Sequence, residues 1–153
     1  MKIRLAGIIE NSINNGEGIR KVIFAQGCKH HCKGCFNPST HDFNGGYECD
    51  TDKIIERINS DYMIDGVTFS GGDPFEQAEA FAEIAKNINP ELNIWCYTGY
   101  TLQEIIDKAN EKPEWVDLLT HIDVLVDGKF EEDKKDRNLK FKGSSNQNII
   151  QLR

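Results

Sequence analysis

The sequence lacks any long apolar run. Nothing in it approaches the ~18–20 apolar residues that a membrane-spanning helix needs. Near its start, Leu5-Ala6-Gly7-Ile8-Ile9 is cut off by Glu10 and is too short for the core of a signal peptide. A cytosolic protein is the expectation. Internal repeats and low-complexity tracts are also missing. There is no excess of positive charge: the formal net charge of −7 argues against a general nucleic-acid binder, which carries a basic stripe. Nor is there length to spare. The chain has 153 residues, whereas a complete eightfold α/β barrel typically takes about 250. Any barrel here must be incomplete, and one domain over residues 1–153 is expected.

What is present suits a folded domain. Hydrophobic residues make up 39% and charged residues 28%, in alternating stretches, which excludes a disordered or collagen-like chain. A chain of this size buries roughly 68–70% of its unfolded surface and needs no disulfide staples. Its five cysteines therefore read as metal or redox chemistry.

The pattern along the chain predicts strands separated by helices. Met1–Ile9 reads as a short edge strand, Asn14–Gly18 as a turn, and Lys21–Ala25 as a β-branched strand. A cysteine loop runs from Cys28 to about Gly46. A helix over Asp52–Ile58 precedes a strand at Gly66–Ser70. Asp73-Pro74-Phe75-Glu76 has the form of a helix start, with Phe81, Ile84, Ala85 and Ile88 continuing an apolar face. A strand at Leu92–Tyr97 follows. The capping box Thr101-Leu102-Gln103-Glu104 opens a helix to about Asn110, and Pro113–Leu119 forms another. Ile122–Val126 is a strand, Glu131–Asn138 a charged, solvated loop, and Ile149-Ile150 closes the chain as a last strand. Such alternation favours a parallel sheet, whose ligand sites lie beyond the carboxyl ends of the strands. The cysteine loop, Gly71-Gly72-Asp73 and Asp127-Gly128-Lys129 all fall at such ends and are expected to converge on one rim.

Cys28-x3-Cys32-x2-Cys35 supplies three thiols from one short loop. A four-iron cluster is usually held by four cysteines, one per iron, so three leave one iron open. Structural zinc with His30, His31 or His41 as a fourth ligand is an alternative. A Cys32–Cys35 redox pair is another. Cys96, between Trp95 and Tyr97, reads as a buried small apolar residue, and Cys49 as a bystander in a polar loop.

The cysteine spacing, placed just after the first strand of an α/β pattern, is similar to the signature of the radical S-adenosylmethionine enzymes. Further motifs resemble the branch that activates glycyl-radical enzymes, and within it the family acting on anaerobic ribonucleoside-triphosphate reductase. They are Gly16-Glu17-Gly18-Ile19-Arg20, Gly27-Cys28, Gly34-Cys35-Phe36-Asn37-Pro38 and Ser70-Gly71-Gly72-Asp73-Pro74, then Tyr97-Thr98-Gly99-Tyr100, Val126-Asp127-Gly128-Lys129-Phe130 and Gly143-Ser144-Ser145-Asn146-Gln147. The likeness runs from about residue 7 to the end of the chain.

The resemblance implies an incomplete parallel (β/α) barrel. It implies that Cys28, Cys32 and Cys35 ligate a [4Fe-4S] cluster whose open iron takes the amino and carboxylate groups of S-adenosylmethionine. Gly71, Gly72 and Asp73 match the segment that receives the methionine end. Glycines allow close approach of backbone to ligand, and the Asp73 carboxylate could accept from the ammonium. The plainer reading of these residues is a tight turn followed by a helix cap. Gly34, Cys35 and Phe36 would run beside the adenine, although the aromatic that many relatives place just before the third cysteine is here Gly34. Asp127, with Lys129, resembles an Asp-x-Lys element near the cofactor carboxylate, and Thr98 is a weaker candidate at its own strand end. The implied activity is that of an oxidoreductase. The cluster passes an electron to S-adenosylmethionine, and a 5′-deoxyadenosyl radical takes hydrogen from a glycine of the reductase. No side chain acts as acid or base, and a flavodoxin or similar protein donates the electron. The rivals are another radical enzyme, acting on a different glycyl-radical protein or a small molecule, and a non-enzymatic Cys3His zinc module.

Overall fold

A computed structural model describes every residue of the chain except Phe36. The chain opens with a hairpin, β1 (Lys2–Ser12) and β2 (Arg20–Ala25), and β3 (Tyr47–Asp50) returns along the other side of β1. The helix α1 (Thr51–Asn59) leads to β4 (Gly66–Gly71), and α2 (Ala78–Asn87) to β5 (Asn93–Tyr97). Two short helices, α3 (Leu102–Asp107) and α4 (Pro113–Thr120), precede β6 (Val124–Asp127), and β7 (Asn148–Gln151) ends the sheet. The strand order is β3-β1-β2-β4-β5-β6-β7.

The architecture is α/β, as expected, but the sheet is mixed rather than wholly parallel. Only β2, β4, β5 and β6 run parallel; β1, β3 and β7 pair antiparallel with their neighbours. The reason lies in the connections. Parallel neighbours need a crossover of a dozen or more residues, which α1 with β3, α2, and α3 with α4 supply, whereas β1 and β2 are joined by a short turn. Strand β1 is not an edge, because β3 covers it. Cys49 lies in that strand opposite Ile3, not in a loop.

Each sheet face has its own cover. Ile23, Ala25, Val67, Phe69, Ile94 and Cys96 point into one core with Phe81 and Ile84 of α2 and Leu118 of α4. The other face carries a smaller cluster, Trp95, Val124 and Val126, packed by Tyr97 and Phe141. Strands buried on both faces read as continuous apolar runs, which is how β4 to β6 appear in the sequence.

The amino ends of the parallel strands are closed by two buried cations on opposite faces. Arg20 donates to Thr68 Oγ1 and to the carbonyls of Glu17, Val67 and Asn93, at 2.6–2.9 Å. Burial pushes its pKa down to about 10. Lys21, only 1% exposed, pairs with Glu10 at 2.6 Å and Asp61 at 2.8 Å. Among the described residues, no helix is long and apolar enough to cross a membrane.

Candidate functional site

The loop that follows β2 is folded back on itself by its own backbone. Gly27 N donates to Thr40 O and Cys28 N to His41 O. The Gln26 side chain ties in the carbonyls of Ser39 and Asp42. The cysteines are thereby held beside the carboxyl ends of β4, β5 and β6. Cys28, Cys32 and Cys35 line one cavity of about 130 Å³ with Gly71 and Gly72. Its remaining wall includes Thr98, Gly99, Gly128 and Gln147. The three strand-end segments singled out in the sequence do meet there.

Burial pushes the Cys28 thiol up to about 11 and raises that of Cys32 as well. A buried thiol of this kind becomes a thiolate once a metal supplies positive charge. Among the described residues, no three His, Cys, Asp or Glu side chains gather closely enough to hold a single metal ion. His30 is committed elsewhere, since its Nε2 lies 2.7 Å from Asp73. His31 packs edge-on against His41, with centroids 5.3 Å apart.

Asp73 caps the 3-10 turn Pro74–Gln77 that precedes α2, accepting from Phe75 N at 3.0 Å. It also accepts from Thr98 Oγ1 at 2.9–3.0 Å, from Gly99 N at 3.0 Å and from His30. The carboxylate is wholly buried and filled by the chain's own donors. As the site stands, it offers no lone pair to an incoming ammonium.

The glycines next to it line the cavity and also let backbone segments pack closely. A Cβ on Gly72 would stand 2.3 Å from Gly27 O and 2.8 Å from Thr40 O. One on Gly71 (φ +100°) would stand 2.4 Å from the backbone of Ala25. The close approach is between backbone segments: Gly72 N donates to Ala25 O and Asp73 N to Gly27 O. This fastens the cysteine loop to the end of β4.

The other sequence candidates separate. Gly34 is exposed with its α-carbon against the Glu132 side chain, and is not among the described residues that line the cavity. Phe36 lies outside the described residues. Asp127 is buried beneath the rim, where Oδ2 accepts from Leu102 N at 2.8 Å and Oδ1 has no partner among the described residues. Lys129 is exposed, near enough for its charge to act on Cys32.

A larger cavity of about 600 Å³ opens beside the first, over the sheet face that carries no helices, and the two share Asn37, Ser70, Tyr97, Phe130 and Gln147. Asn14 and Asn15 line it on one side, Lys135, Arg137 and Lys142 on another. The 131–138 segment, read from sequence as a solvated loop, is exposed yet forms part of this wall. Ser144 holds it there, its Oγ accepting from Glu131 N. Sequence reasoning also missed the work of Gln147. Its Oε1 accepts from Gly143 N and Ser144 N, while Nε2 donates to Gly128 O, so one amide locks the returning segment to the end of β6. The only signal was the unexplained motif Gly143–Gln147 itself.

Comparison with known proteins bears on the same residues. A family described as a 4Fe-4S single cluster domain matches residues 14–150. A Vibrio cholerae protein named anaerobic ribonucleoside-triphosphate reductase-activating protein is 40% identical over 144 residues, 88% of this chain and 89% of that one. The protein of the same name from Escherichia coli K12 is 39% identical over 150 residues, 92% and 94% of the two chains. That of bacteriophage T4 is 34% identical over 142 residues, covering 88% and 85%.

Proposed function

Since the chain belongs to the family of anaerobic ribonucleoside-triphosphate reductase-activating proteins, we propose that it activates such a reductase as a radical S-adenosylmethionine enzyme. The observation that carries this reading is the grouping of Cys28, Cys32 and Cys35 on one wall of the strand-end cavity. The donor set fits the implied group. A cubane takes one thiolate per iron, so its ligands need not meet at a point, and three leave one iron for another ligand. When bound, the cluster would supply the electron that splits S-adenosylmethionine, and the 5′-deoxyadenosyl radical so formed would take hydrogen from a glycine of the reductase.

The chain's own residues bind, orient and exclude water. Cys28, Cys32 and Cys35 hold the cluster. The backbone at Gly71 and Gly72, with Gly99 and Gly128, forms the opposite wall for S-adenosylmethionine, and Asp73 shapes that wall rather than touching the ligand. Asp127 supports the same rim from below. The 600 Å³ cavity, contiguous with the first, leaves room for a peptide loop bearing the target glycine. The helix-free sheet face corresponds to the inside of a partial (β/α) barrel, and a flavodoxin-like protein serves as electron donor.

The test is anaerobic reconstitution of the full chain with iron and sulfide, then addition of dithionite and S-adenosylmethionine. The expected result is close to four irons per chain and slow formation of 5′-deoxyadenosine, both lost in Cys32→Ala and kept in Cys49→Ala and Cys96→Ala. Zinc in place of iron, or 5′-deoxyadenosine formation that survives Cys32→Ala, overturns the reading.

A further inference from the structure

His30 stands between two of the three cysteines, yet its side chain turns away from a ligand's role. It is only 6% exposed, and Nε2 donates to Asp73 Oδ2 at 2.7 Å. Its ring lies edge-on to Tyr100 with centroids 4.5 Å apart, and Gly99 has no room for a Cβ because that ring fills the space. The same carboxylate accepts from Thr98 Oγ1 and Gly99 N, at the end of β5. One buried carboxylate thus joins the cysteine loop to the opposite wall of the cavity. The neighbouring residue repeats the pattern at the surface, where Lys29 pairs with Glu76 at 3.3 Å.

We propose that His30 and Asp73 are a positioning pair, setting the separation between the cysteine loop and the Thr98–Gly99 turn and so the seat in which S-adenosylmethionine meets the cluster. This rests on the proposed function above and deepens it. The geometry favours positioning over contact. Asp73 has five donor contacts from four residues (Phe75, Thr98, Gly99 and His30) and is 0% exposed, so it has little to give a ligand directly. Its partners lie on three separate segments, so its loss lets the two walls move apart. A buried polar network of this kind specifies one arrangement only while every member is satisfied. Without His30 the buried carboxylate is one donor short and keeps only its ties to Phe75, Thr98 and Gly99, so nothing holds it to the cysteine loop.

The experiment uses the full chain carrying His30→Leu or His30→Gln. Glutamine keeps a side-chain N–H that can reach Asp73; leucine does not. Three quantities are measured: iron and sulfide after reconstitution, affinity for S-adenosylmethionine with the change it induces in the electron paramagnetic resonance spectrum of the reduced cluster, and exchange of the Gly99 amide hydrogen in the cluster-free protein. His30→Leu should take up iron and sulfide as the wild type does. It should bind S-adenosylmethionine about tenfold or more weakly, within the range expected for partners that orient ligands, and exchange Gly99 faster. His30→Gln should recover much of both.

Wild-type affinity in His30→Leu, or a glutamine variant no better than leucine, overturns the proposal. So does a folded His30→Leu chain that cannot take up iron. If His30→Leu does not fold, Thr98→Val removes a donor from the opposite wall. It must then show weakened affinity with full iron uptake, and unchanged affinity overturns the proposal. If the wild type itself binds no S-adenosylmethionine, the functional reading has failed; the Gly99 exchange in the cluster-free chain still decides whether the pair holds the two walls together.

Discussion

Gly72 shows how a single hydrogen in place of a methyl can set the position of a whole loop. Its α-carbon lies against the carbonyls of Gly27 and Thr40, so any side chain there displaces the cysteine loop from the end of β4. Gly72→Ala should lower stability by about 1–3 kcal/mol, the usual cost of overpacking, and reduce the iron retained after reconstitution. Gly7→Ala, with nothing within 4 Å of the new methyl, should leave both unchanged. Thermal melts of the metal-free proteins and iron analysis check the pair. Arg20 makes a second residue-scale case. Its guanidinium satisfies three carbonyls and a hydroxyl in the interior, with no ion pair among the described residues. Arg20→Leu leaves those acceptors unpaired and should cost about 3 kcal/mol or more, read as a lowered urea midpoint. A midpoint within error of the wild type would show that the carbonyls find other partners.

Among the elements, those with local signals were legible in the sequence. The capping box that opens α3 is present as read, with Thr101 accepting from Glu104 N and Glu104 reaching back to Thr101 N. The parallel strands from β2 to β6 also fall where their apolar runs lie, because those runs are buried on both sides. The strand β3 was not legible. Tyr47-Glu48-Cys49-Asp50 is short and polar, and it is a strand only because β1 offers a free edge. Asp73 was read as a cap, and it is one, but its other donors come from 25, 26 and 43 positions away in the chain, where no local pattern reaches. The sequence placed the rim and its cysteines. That Gly72 packs against the backbone of Gly27 and Thr40 had to come from the fold.

The links between elements also set a pH dependence. Asp61, after α1, binds Lys21 of β2, and that hydrogen bond holds its carboxyl below the usual value of 3.8. A carboxylate whose folded pKa is depressed adds stability above its unfolded pKa and loses it as pH falls through the folded one. Wild-type stability should therefore fall as the solution is acidified below about pH 4, and Asp61→Asn should be less stable at neutral pH with a shallower acid slope. Urea titrations across that range measure it, and parallel slopes for the two proteins would refute the assignment.

At the scale of the whole molecule, the two ends of the parallel strands have different tasks. Buried Arg20 and Lys21 close the amino ends with fixed hydrogen bonds. The carboxyl ends hold loops, glycines and three thiols around two joined cavities. The helices cover only one face of the sheet; on the other, Phe141 packs over Trp95, Val124 and Val126, and the larger cavity opens beside the cysteines. Central to the proposed function is a radical made at this site on a glycine of the reductase. The most direct measurement is anaerobic incubation of the reconstituted protein with reductant, S-adenosylmethionine and a reductase labelled with α-deuterated glycine. The expected result is an organic radical on the reductase by electron paramagnetic resonance, and deuterium recovered in 5′-deoxyadenosine. Cleavage of S-adenosylmethionine without a radical on the reductase and without deuterium transfer would contradict it.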